Sequence, residues 1–171
     1  MVLAPTSPLG TADCEIIGGG WLAQPVNAWS SLAYAVVGIV LIASISRAPR
    51  SDRSLRVTFG GLMIATGLGS FLYHGPQNAG AGFVHDITFL AMLWFLIIMN
   101  PAMPYGVERR YAWIALGLVT AAAAVALVAS PDATNVLTGI SVAGLIASGM
   151  ETRVYYVSHG GFDTHANQAF R

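Results

Sequence analysis

The chain has 171 residues, 55% hydrophobic and 9% charged, against about 25% charged in an ordinary soluble domain. Eight arginines balance eight acids, which excludes a basic nucleic-acid binder, and so apolar a composition excludes disorder. Too little polar surface remains to cover a soluble globule, and a single cysteine, Cys14, excludes an intramolecular disulfide and a multi-cysteine zinc cluster. A polytopic membrane protein follows.

Residues 1–26 read as an N-terminal arm without a basic start or an adequate apolar core, so not as a secretory signal. The arm carries Asp13, Glu15, Trp21 and Gln24, with Asn27, Ser30 and Ser31 behind them. Trp21 suits the aromatic belt at a bilayer surface. Asp13, Glu15 and the amide oxygen of Gln24 are hard oxygen donors of the kind calcium accepts. A solvated arm leading into the first helix explains them equally well.

Crossing a ~30 Å hydrocarbon layer takes about 20 mostly apolar residues. Five stretches reach or approach that length: Asn27–Ile45, Leu55–Tyr73, Phe83–Met99, Tyr111–Ala129 and Thr134–Met150. Breaker-rich segments join them, such as SRAPRSDRS, GPQNAGAG and NPAMPYGVERR. The second and fifth are rich in Gly and Ser, which let helices approach closely in a bilayer. The fourth, with AAAAVALVA, is apolar all round, as suits a helix facing lipid or close neighbours. The expected fold is an all-α membrane bundle of about five transmembrane helices. It forms one domain over residues 1–150, followed by a polar tail at 151–171.

With five spans, Arg47, Arg50, Arg53, Arg56, Arg109, Arg110, Arg153 and Arg171 all fall on one side, and the other side has no basic residue. The positive-inside rule then puts the N-terminus outside and the C-terminus in the cytoplasm.

Ionisable residues in the apolar stretches gather at the outer junction of the second and third helices, in GLGSFLYHGPQNAGAGFVHD. Ser70 and His74 are four apart and share a helix face. Asp86 begins the third helix, and the short turn between can bring it back beside His74. Ionisable groups at membrane depth are costly and point to function. Bland readings stand beside this one. Ser70 could bond the carbonyl four residues back, Asp86 could cap its helix, and His85, on a different face from Asp86, reads as interfacial.

CE followed by WLAQPVNAWSSLAY, then GLGSFLYHGPQ and VHD, resembles the alkaline ceramidases and their bacterial relatives over residues 13–100. The resemblance implies a seven-helix membrane amidohydrolase holding zinc inside its bundle. His74 would be a zinc ligand, Asp86 would orient or deprotonate the attacking water, and Ser70 would stabilise the oxyanion. Glu15 matches the glutamate of the family's calcium motif, whereas Gln24 stands where the animal enzymes have a glutamate, which makes calcium doubtful.

The family completes its zinc site with an HxxxH on the last helix, and this sequence has none. His159 and His165 lie six apart in the tail. The tail, TRVYYVSHGGFDTHANQAFR, resembles an internal stretch of a secreted bacterial family related to alkaline-phosphatase-like metalloenzymes. Asp163 and His165 would bind metal only inside that family's full domain. The expectation is a truncated or fused version of the seven-helix bundle.

The implied activity is zinc-dependent hydrolysis of a carbon–nitrogen bond in a linear lipid amide, a ceramide or another acyl amide. Whether activity survives the missing histidines is left open. The alternative is a non-catalytic bundle, either a remnant or a receptor-like or assembly component; a transporter-like bundle is the weakest reading. Implied partners are the lipid amide, membrane lipid and a second copy of the chain, with no nucleic acid.

Overall fold

The computed structural model describes residues 9–11, 13–99, 108–130 and 132–148. The tail with His159, Asp163, His165, Arg153 and Arg171 lies outside the described residues. Five α-helices follow one another: α1 (Pro25–Ala43), α2 (Arg53–His74), α3 (Ala81–Ile98), α4 (Arg109–Ala129) and α5 (Ala133–Ala147). Two short 3₁₀ turns, Ser44–Arg47 and Arg50–Asp52, link α1 to α2. No strand occurs among the described residues. The protein is an all-α membrane bundle in which four helices, α1 to α4, are long and apolar enough to cross a bilayer. α5 has 15 residues, about 22 Å of helix, and falls short of the hydrocarbon thickness that the expected fifth span required.

Helix ends follow local chemistry. Pro25 opens α1 at the position where a missing N–H costs nothing. The two amides behind it, of Val26 and Asn27, donate to Glu15 Oε1 and Oε2 at 2.9 and 2.7 Å. A carboxylate from the arm therefore caps α1, where the positive end of the helix dipole favours it. At the end of α2, Gln24 N donates to His74 O at 2.8 Å and Ala23 N to Gly75 O at 3.0 Å. The arm thereby satisfies carbonyls that a helix terminus leaves without partners.

α1 and α2 form the closest pair. Ser31, Ala35 and Gly38 share one face of α1 and are buried. A Cβ on Gly67 of α2 would lie 2.7 Å from Ala35 N and 3.0 Å from Ser31 O, so the backbones approach as only a glycine allows. α3 is the centre of the rest, packing on α2, α4 and α5. Its fully buried Leu90 meets Ala123 and Leu127 of α4, and Leu93 and Ile97 meet Leu145 of α5. α1 and α4 keep apolar side chains exposed on their outer faces, Val36, Val37 and Val40 on one, Leu118, Val125 and Val128 on the other. In water that surface would be a liability; in a bilayer it is solvated by lipid.

Candidate site at the arm–α2 junction

Gln24 organises this junction. It has no exposed surface, so each polar atom of its carboxamide needs a partner. Its Nε2 donates to Gly10 O at 2.9 Å and to Glu15 O at 2.7 Å. Carbonyls only accept, so these two bonds fix which end of the amide is nitrogen. The remaining Oε1 lies 2.7 Å from His74 Nδ1 and can only accept. In the neutral ring the proton therefore sits on Nδ1, and Nε2 carries the lone pair.

Asp13 adds a carboxylate to the same ring edge. Its Oδ2 is 3.3 Å from His74 Nδ1, and that atom is buried without a hydrogen-bond partner among the described residues. The loop that brings it there turns at Gly10, whose φ of +74° belongs to the left-handed region and whose missing Cβ would overlap the Asp13 carboxylate and the Gln24 amide. The Gly10 amide donates to the Tyr73 hydroxyl at 3.1 Å. Gln77 Nε2 donates to Leu9 O at 2.7 Å. The arm is thus fastened to both sides of His74.

Ser70 lies one turn before His74 and is buried. Its partner is not the carbonyl four residues back but Ser31 across the helix pair, Oγ to Oγ at 2.7 Å. Ser31 Oγ also donates to Asn27 O at 2.7 Å, which uses its single proton. Ser70 is therefore the donor to Ser31, and its lone pairs remain as acceptors.

Asp86 is in the second turn of α3, past the Gly80 N-cap, and does not cap the helix. The sequence lets it come back beside His74 and gives His85, on a different face, as interfacial; in the structure Asp86 pairs with His85 instead. Asp86 Oδ1 accepts from His85 Nδ1 at 2.8 Å and Asp86 Oδ2 from Thr134 Oγ1 at 2.6 Å, which ties α3 to α5. Neighbours on a helix point about 100° apart, yet the side chains fold back far enough to bond. His85 then stacks on Tyr73 with 4.4 Å between ring centres and stands edge-on to His74 at 6.0 Å. His74 and Asp86 are connected through His85, and the carboxylate nearest His74 is Asp13.

The metals implied by the resemblance can be tested against these groups. Among the described residues no three His, Cys, Asp or Glu side chains gather as a metal would need. Catalytic zinc takes three protein ligands; the junction offers two imidazoles, His74 and His85, 6.0 Å apart between ring centres and each with Nδ1 already held. That set does not fit a zinc site by itself. The calcium set fits less well. Both oxygens of Glu15 accept backbone amides, and Gln24 turns its NH₂, not its oxygen, toward the Gly10 and Glu15 carbonyls.

Trp21 and Trp29 both meet Phe71 edge-on, at 6.5 and 5.7 Å, and form an aromatic cluster at the end of the bundle where the arm lies, as an interfacial belt does. Comparison of the chain with protein-family models, with curated proteins and with solved structures finds no match.

Proposed function

We propose that this chain is a ceramidase-like membrane hydrolase that cleaves the carbon–nitrogen bond of a linear lipid amide at the arm–α2 junction. The observation that carries this reading is the fixed ring of His74. Histidines that serve as bases or metal ligands have one nitrogen held by an oxygen acceptor, which orients the other. Gln24 supplies that acceptor from a position with no rotational choice.

In this reading His74 Nε2 takes a proton from water as its oxygen attacks the amide carbon. The proton then goes to the departing nitrogen, the C–N bond breaks, and a fatty acid and an amine result. The Ser70 hydroxyl, turned off Ser31, donates to the oxyanion. Asp86 acts through His85, as a positioning group for the wall opposite His74. The apolar flanks of the helices accept the acyl chain.

The family resemblance implies zinc instead, which would take the His74 Nε2 lone pair in place of its role as base and bring a bound water's pKa to about 7. With His74 and His85 the imidazoles near the junction, at least one further ligand must come from a second copy of the chain or from residues outside those described. Calcium enters the reading only through Glu15, whose carboxylate already caps α1.

Fatty-acid release from a short-chain ceramide in mixed micelles, with and without micromolar zinc, tests the proposal. His74→Ala is expected to abolish release. Ser70→Ala is expected to lower it about 10²-fold or more, and Asp86→Asn to lower it less. Release unchanged by all three substitutions, or absent from the wild-type protein in both conditions, would reject the hydrolase.

A second reading, a non-catalytic bundle, is favoured by one observation: the polar groups of Ser70 and Asp86 are already bonded within the chain. It predicts that the same substitutions lower stability while no turnover exists to lose.

A further inference from the structure

Among the described residues at the end of the bundle opposite the arm, six arginines (Arg47, Arg50, Arg53, Arg56, Arg109 and Arg110) meet two acids, Asp52 and Glu108. The Arg109 guanidinium donates from Nη1 to Ser51 O, so the start of α4 is tied to the linker before α2. Glu108 is taken up by Arg110, Nε to Oε2 at 2.8 Å. Arg47, Arg50 and Arg53 are exposed and make no ion pair among the described residues. The described residues of this end therefore carry a net positive charge.

Directly inside it lies an apolar groove of about 630 Å³. The backbones of α2 and α4 stay more than 8 Å apart, and each packs on α3, so α3 forms the floor and the other two helices the walls. Thr58 and Leu62 line it from α2, Ala91 from α3, and Trp113, Gly117 and Ala124 from α4. Trp113 is one turn inward from Arg109, which places the guanidinium at the mouth. From Trp113 to Ala124 the groove runs about 16 Å along α4, close to half of a ~30 Å hydrocarbon layer. A transmembrane helix would need the whole thickness. A lipid chain anchored at one surface needs only its own leaflet.

We propose that this groove is a phospholipid site: one acyl chain lies between α2 and α4, and an anionic headgroup sits against Arg109 and the adjoining Arg50–Arg53 segment. The charge selects the headgroup and the groove length selects the occupant. The site is independent of the hydrolase reading, since it shares no residue with the arm–α2 junction.

The experiment is native mass spectrometry of the full-length protein, delipidated in detergent and titrated with phosphatidylglycerol or phosphatidylcholine of identical chains. Phosphatidylglycerol is expected to bind about 30-fold more tightly, as two nearby arginines would give, and Arg50→Gln/Arg53→Gln/Arg109→Gln to erase that preference. Gly117→Leu is the second variant. A Cβ there meets nothing within 4 Å, so the added side chain fills the groove without a clash. It is expected to lose most binding of both lipids while the helical circular dichroism stays unchanged. Equal affinity for the two lipids in the wild type, full binding by Gly117→Leu, or displacement of phosphatidylglycerol by millimolar inorganic phosphate would overturn the proposal. So would a dimer that Gly117→Leu dissociates, which would make a second copy the occupant.

Discussion

The Gln24 side chain makes three hydrogen bonds and has no contact with solvent, so its replacement by an apolar side chain leaves the Gly10 and Glu15 carbonyls and the His74 N–H short of partners. A buried polar group left without one costs about 1–3 kcal/mol. Gln24→Leu is therefore expected to destabilise by about 2–4 kcal/mol, read as an earlier midpoint in SDS-titration unfolding. Ser31→Ala removes the acceptor of Ser70 at the helix seam and a local bond to Asn27 O. Its expected cost is about 0.6 kcal/mol, the average for hydrogen bonds between membrane helices. Gln24→Glu reverses the local logic, because it exchanges a two-proton donor for a carboxylate facing two carbonyls. Added calcium is expected to raise the melting temperature of that variant and to leave the wild type unmoved. At this scale the sequence made some things legible: the i, i+4 spacing put Ser70 and His74 on one face, and the arm was visible as polar. The Ser31–Ser70 bond was hidden because it joins residues 39 apart. Asp13 in place of Asp86 beside His74 was hidden because the path of the arm depends on Gly10 and Gln24 together.

Between helices, the determining feature is how closely α1 and α2 approach. Gly67→Leu would force its side chain into the Ala35 backbone and Ser31. Overpacking of this kind costs about 1–3 kcal/mol where the neighbours can shift; here the neighbour is backbone, so the upper end is expected, with loss of the Ser31–Ser70 bond. Glu15→Ala should cost about 1 kcal/mol through the lost cap on α1, although no capping residue stands next to the helix in sequence. Long apolar runs located every helix, because α1 to α4 bury their stripes against each other or face lipid, and both environments demand the same composition. The ends were less legible. α1 starts at Pro25, two residues before the apolar run, since the arm supplies its cap from Glu15. The fifth run holds a helix of 15 residues, where apolar character alone suggested a full span.

For the molecule as a whole, the arm and the arginines occupy opposite ends. That follows from α1 running from the arm to the arginine-bearing linker, and from Arg109 reaching Ser51. From this polarity and the positive-inside rule we propose that the arm lies outside and the arginines in the cytoplasm. Cys14 is exposed on the arm, and a membrane-impermeant maleimide is expected to label it from outside intact cells. In a Cys14→Ser background, Ser54→Cys is expected to react only after permeabilisation. The opposite pattern would invert the assigned topology.

The account rests on the ring of His74 being held in one tautomer. Nitrogen-15 NMR of the detergent-solubilised protein, labelled at histidine, reports that state directly. The expected spectrum of the neutral ring has His74 with its proton on Nδ1 and a bare Nε2, and this preference is lost in Gln24→Leu. A proton on Nε2 in the wild-type protein, or a signal unchanged by Gln24→Leu, would contradict it.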